Sequence, residues 1–172
     1  MIKALACVCF IMGSVGFGYI KVREYAKHYD ELVYIKYILS CMLIEIENRG
    51  GTFGETCLAL SRKLKVPYKE IFRGLYELLE KERNENPYTY WNAKIGELTK
   101  TVYLKKDEAC ILQDVIRCAD GTNLAMPLEV LKESIVEWDK VIRRAEQVRK
   151  ERSKVTLCLS ITVGLLLCIT VI

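Results

Sequence analysis

Apolar residues along the chain recur at helical spacing, and no stretch of it alternates in the manner of a strand. Leu32, Ile35, Leu39, Met42 and Ile46 step by three and four and end at Asn48-Arg49-Gly50-Gly51, where the glycines supply a stop. Thr52, with Glu55 three residues on, forms a capping-box signature for a short helix reaching about Leu64. Pro67 then stands at a first helical position, and Tyr68, Ile71, Phe72, Leu75 and Leu79 trace the next apolar face. Asn84-Glu85-Asn86-Pro87 is the clearest loop. A fourth helix carries Tyr90, Trp91, Ile95 and Leu98, although Gly96 weakens it. A fifth carries Leu104, Ile111, Leu112, Val115, Ile116 and Ala119 and should stop at Asp120-Gly121. After Met126-Pro127 the last helix places Leu128, Leu131, Ile135, Trp138, Ile142 and Ala145 at alternating steps of three and four, a heptad seam.

The two ends follow another rule. Ala4 to Ile20 (17 residues) and Val155 to Ile172 (18 residues) contain no Asp, Glu, Lys or Arg. At 1.5 Å per residue each would span roughly 26 Å of a hydrocarbon layer about 30 Å thick. The first run could also be a signal peptide, but Ser14 to Tyr19 offers no convincing small-x-small cleavage site, so an uncleaved membrane helix is the expectation. No breaker separates either run from the helix beside it, since the first seam continues back through His28 and Tyr25 towards Lys21. The fold class expected is therefore all-α: a membrane hairpin of two transmembrane helices with an intervening antiparallel helical bundle, its first and last helices continuous with the membrane spans. A rod without a bundle would leave Phe72 and Trp91 nowhere to be buried. The boundaries are 1–20 for the first span, 21–154 for the bundle and 155–172 for the second span.

Charge orients the hairpin. The flanks facing the middle carry Lys21, Arg23, Lys27, Arg143, Arg144, Arg149, Lys150, Arg152 and Lys154, against Lys3 alone on the outer flanks. Positive flanks stay in the cytoplasm, so a cytoplasmic middle with both termini outside is expected, in the cell membrane. The middle carries 25 of the 26 basic residues and all 22 acidic ones. That near balance excludes a strongly basic nucleic-acid binder and a disordered acidic tail. The basic run from Arg143 to Lys154 has no interleaved aromatics, so it reads as a topology signal resting against anionic lipid headgroups.

Small residues mark the apolar runs. Thr156, Ser160, Gly164 and Cys168 recur every four residues, and Ser14 with Gly18 gives a shorter version, a pattern that lets helices approach closely. Whether the contact lies within the hairpin or with another subunit stays open at this level.

Candidate chemistry is sparse. Of eight cysteines, Cys41, Cys57, Cys110 and Cys118 lie in the middle, none in a Cys-x-x-Cys pair, and there is one histidine. Reduced and mostly buried thiols are expected rather than a zinc site or a disulfide framework. Gly50-Gly51-Thr52-Phe53-Gly54 is glycine-rich but lacks the Lys-Ser or Lys-Thr of a phosphate loop, so it reads as a turn. His28 reads as a packed or snorkelling side chain. Glu45 and Glu47 cannot share one helix face, and Glu133 with Glu137 lies on a charged face, so a solvated surface accounts for these carboxylates. No enzyme, no metal, no cofactor, no nucleic acid and no small-molecule substrate are expected.

Order, spacing and size taken together resemble the stage III sporulation protein AB family over essentially the full length. The residues carrying the resemblance are Met1-Ile2-Lys3 before the first apolar run, Glu45-Ile46 closing the first cytoplasmic helix, the Gly51-Thr52 turn with Glu55 three later, and the basic last helix entering an apolar C-terminus. The resemblance implies a component of the transenvelope complex between mother cell and forespore, with a soluble part similar to the cytoplasmic domain of type II secretion F platform proteins. It implies as partners the other membrane subunits of that complex and its secretion-type ATPase, the stage III sporulation protein AA. The expected docking residues are Gly50, Gly51, Thr52 and Phe53 with Asn84, Asn86 and Pro87, at the bundle end furthest from the bilayer. The expected membrane-helix packing residues are Ser14, Gly18, Thr156, Ser160 and Gly164. The alternative is a passive membrane-anchored helical scaffold or adaptor with no coupling to ATP hydrolysis.

Overall fold

The computed structural model describes residues 2–49, 52–81, 86–116 and 128–171. They form six helices and, among the described residues, no strand: α1 (Ile2–Arg49), α2 (Phe53–Lys63), α3 (Tyr68–Lys81), α4 (Pro87–Thr101), α5 (Lys106–Asp114) and α6 (Leu128–Val171). The chain divides into two compact units, Glu31–Ile142 and the paired ends Met1–Asp30 with Arg143–Ile172.

In the unit Glu31–Ile142, the five residues of the predicted α1 stripe are all buried, and Ile38 joins them. Trp138 of α6 is fully buried, and its indole N–H donates to the Leu32 carbonyl of α1 at 2.8 Å. Ion pairs run along the same two helices, Lys36 to Asp139 at 2.6 Å and Lys132 to Glu47 at 2.9 Å, so rising numbers on α1 meet falling numbers on α6. Half-exposed pairs of this kind contribute about 0–1 kcal/mol each, and burial of Leu32, Leu39, Met42, Leu131 and Trp138 dominates the contact.

The shorter helices close the other side of that core. Trp91 of α4 meets Phe53 of α2 and Phe72 of α3 edge-on, with ring centroids 6.0 and 6.1 Å apart. Its indole donates to the Leu112 carbonyl at 2.6 Å. Because α5 ends at Asp114, this carbonyl lies in the last helical turn, where no intrahelical donor is left for it. A tyrosine cluster fixes the α2–α3 turn against α1. Tyr68 donates to Glu31 at 2.6 Å, Tyr34 accepts from the Lys65 N–H at 2.9 Å, and the two rings lie 5.2 Å apart.

Some expectations shift. The fifth helix was expected to span Leu104 to Ala119, but α5 begins only at Lys106, since Glu108 accepts from the Lys105 N–H at 2.8 Å and fixes the start. Its expected stop, Asp120-Gly121, lies outside the described residues, as do Ala119 and Cys118. Pro67 precedes α3 rather than opening it, and its carbonyl accepts from Glu70 and Ile71. Gly96 leaves α4 unbroken. Cys57 is fully buried, which pushes its thiol well above the ordinary range, but Cys110 is exposed on the polar side of α5. Glu45 is 7% exposed, against the solvated position expected of it, and pairs with Lys63 at 3.0 Å.

In the unit of paired ends, α1 and α6 meet at small residues. A Cβ added to Gly18 would lie 2.9 Å from the Ser160 Cβ and 3.7 Å from the Thr156 carbonyl. The guanidinium of Arg149 stacks over the Tyr29 ring at 4.2 Å. Hydroxyls here turn back on their own helix, Ser160 donating to the Thr156 carbonyl and Thr162 to the Cys158 carbonyl, each at 2.8 Å. Among the described residues no helix is long and apolar enough to cross a membrane. The side chains described within the two apolar runs are those of 12–20, 155–166 and Ile169.

Candidate functional site

Two candidate surfaces were expected, a docking end and a helix-packing stripe. The docking end is built by the N-termini of α2 and α4. Thr52 caps α2: the Glu55 N–H donates to its hydroxyl at 3.4 Å, and its own N–H donates to the Glu55 carboxylate at 3.0 Å. Asn86 caps α4 by accepting from the Tyr88 N–H at 2.9 Å, and Pro87 opens the helix where a missing N–H does no harm. The Phe53–Trp91 contact brings these two helix starts to one end of the unit.

The candidates separate there by burial. Thr52 and Asn86 are exposed, whereas Phe53, 1% exposed, and Pro87 are buried and hold the two turns in place. Gly50, Gly51 and Asn84 lie outside the described residues. Among the described residues, what faces solvent at this end is a pair of capped helix N-termini with the polar side chains of Thr52 and Asn86.

Of the expected packing residues, Gly18 meets Ser160 and Thr156 within the chain. Gly18 and Gly164 are buried, Ser14 and Thr156 half-buried, and Ser160 packs on Gly18. The residues on the outward sides of the same helices are large and apolar: Met12, Phe17, Leu159, Leu166 and Ile169 are 58–71% exposed.

No group of three or more His, Cys, Asp or Glu side chains that could hold a metal occurs among the described residues. His28 is half-buried on α1. Glu45, a buried carboxylate that sequence reasoning assigned to the surface, is occupied structurally by Lys63. Its signal was available, since it stands three residues after Met42 and beside Ile46, on the flank of the apolar stripe.

Comparisons with known proteins agree with this architecture. Among solved structures, "Stage III sporulation protein AB (SpoIIIAB)" superposes with a TM-score of 0.60 at 17% identity, covering 73% of this chain and 98% of that one, a likeness of fold. Among curated proteins none matches the sequence. Residues 3–172 match the sequence family described as Stage III sporulation protein AB, a family named for a developmental stage rather than for a catalysed reaction. The chain belongs to the stage III sporulation protein AB family, and its role lies in sporulation.

Proposed function

We propose that the chain is a non-enzymatic membrane platform subunit of the mother cell–forespore transenvelope complex required for endospore formation, and that it couples a cytoplasmic ATPase to the membrane assembly. The observation that carries the reading is the apolar outer surface of the α1–α6 pair at Met12, Phe17, Leu159, Leu166 and Ile169. Surface of this kind is stable in hydrocarbon and costly in water. The excess of Lys and Arg on the inner flanks favours a cytoplasmic middle, with both termini across the membrane that the mother cell wraps around the forespore.

In this reading the secretion-type ATPase, stage III sporulation protein AA, contacts the capped turns at Thr52 and Asn86. The unbroken helices α1 and α6 carry its movement into the bilayer, where other membrane subunits of the complex assemble. No cofactor is required. The test is co-purification of the full-length protein in detergent with the ATPase, wild type against a variant with Thr52 and Asn86 both replaced by bulky residues. Loss of the ATPase only in the variant supports docking at the turns, and full retention removes it. Unchanged ATP hydrolysis on complex formation would favour the passive adaptor.

A further inference from the structure

The α2–α3 hairpin has a second face. Its inner side buries Phe53, Cys57 and Leu60 of α2 with Ile71, Phe72 and Leu75 of α3. On its outer side an open groove of about 470 Å³ runs between the same helices. Leu58, Ser61 and Arg62 form one wall, at the three- and four-residue spacing of a single helix face. Lys69, Arg73, Tyr76 and Glu77 form the other, at the same spacing.

The floor is apolar. Leu58 and Tyr76 are half-buried, and the Ser61 hydroxyl is satisfied by donating to the Leu58 carbonyl at 2.7 Å. The rim is cationic: Arg62, Lys69 and Arg73 are exposed and face one carboxylate, Glu77. That carboxylate accepts from the Arg73 Nε at 3.1 Å, which orients the guanidinium and leaves its terminal amino groups for a ligand. Arg62 and Lys69 have no ion-pair partner among the described residues, whereas Lys36, Lys63, Lys94, Lys132 and Lys150 each have one. A rim of three cations against one carboxylate around an apolar floor, on the outside of the α2–α3 hairpin, is complementary to a segment with the opposite arrangement.

We propose that this groove is a docking site for an acidic amphipathic helix of a partner protein. Carboxylates spaced four residues apart on that helix meet Arg62, Lys69 and Arg73, and one leucine-sized side chain rests on Leu58 and Tyr76. Guanidinium groups grip carboxylates bidentately, which fixes the register of the incoming helix. The site rests on the groove alone and does not depend on the ATPase or on the turns at Thr52 and Asn86.

The test uses the full-length protein in detergent and fluorescence anisotropy. Its probe is a fluorescein-labelled 14-residue helical peptide with glutamates four residues apart around two leucines, paired with a twin in which every Glu is Gln. Exposed charge pairs are individually weak, so three acting together predict that the Gln twin binds roughly tenfold more weakly. Arg62→Gln with Arg73→Gln should produce a similar loss for the Glu peptide, with unchanged helical content. Lys106→Glu, an exposed change on α5, should leave binding as it was. Equal binding of the two peptides, or an equal loss with Lys106→Glu, would overturn the proposal in favour of general charge attraction. Complete displacement of the peptide by millimolar inorganic phosphate would overturn it in favour of a small-anion site.

Discussion

Trp91 and Trp138 each donate an indole N–H to a backbone carbonyl, yet their replacement by Phe should differ in cost. Trp91→Phe removes one ring and the donor to the Leu112 carbonyl, which lies in the last turn of α5 and is buried. A buried acceptor left unsatisfied costs about 1–3 kcal/mol, and the smaller ring leaves a cavity that adds about 1 kcal/mol more. The edge contacts to Phe53 and Phe72 are preserved by a phenyl ring, so they subtract little from that sum. Trp138→Phe leaves a comparable cavity, but the Leu32 carbonyl sits in the interior of α1 and keeps its helical donor. The expected totals are about 2–4 kcal/mol for Trp91→Phe and about 1–2 kcal/mol for Trp138→Phe. In a domain of this size each kcal/mol moves the midpoint by about 4 °C, so the variants should separate by several degrees. Thermal melts of the full-length protein in one detergent, followed by circular dichroism at 222 nm, read the difference. Equal midpoints, or a lower one for Trp138→Phe, would refute the idea that an orphaned helix-end carbonyl sets the order.

Gly18→Ala should lower the melting midpoint by the equivalent of about 1–3 kcal/mol, because its Cβ meets Ser160, and Ser160→Gly in the same chain should restore it; absence of rescue would mean that the helices do not meet there. Burial, and then donation to Glu31, raises the pKa of the Tyr68 phenol, so its contribution is complete below the free value of about 10 and is lost as pH rises beyond it. Stability measured from pH 8 to 11 should therefore fall more steeply in the wild type than in Tyr68→Phe. Maleimide labelling of the native protein, read by peptide mass spectrometry, should modify Cys110 at least about a hundredfold faster than Cys57, which is reached only on opening of the core. Similar rates would place Cys57 nearer the surface than its packing shows.

Helix spacing was the strongest signal in the sequence, and it worked where both neighbours of a residue obeyed it. All four apolar residues assigned to the fourth helix are buried, and the Thr52–Glu55 cap forms as its spacing implies. It failed where a polar contact outside the apolar pattern decides the outcome. Leu104 fits a helical face, yet the Glu108 carboxylate fixes the helix start after it. Glu45 looked solvent-facing because a carboxylate is assumed to want water, and the cation that holds it, Lys63, is eighteen positions away on α2. The small-residue stripe could be read from the sequence but its partner could not, since nothing in a one-dimensional pattern pairs Gly18 with Ser160. The α2–α3 groove was hidden for the same reason: Arg62 and Arg73 look like ordinary surface cations until the hairpin sets them across one trough.

The hydrogen bond between Trp138 and the Leu32 carbonyl joins positions 106 residues apart. A ribosome adding 5–20 residues per second takes about 5 to 20 seconds to cover that interval. Throughout it the nascent chain carries the completed α1 stripe without Leu131 and Trp138 to cover it. The core of the unit Glu31–Ile142 is thus closed only once α6 supplies Leu131 and Trp138.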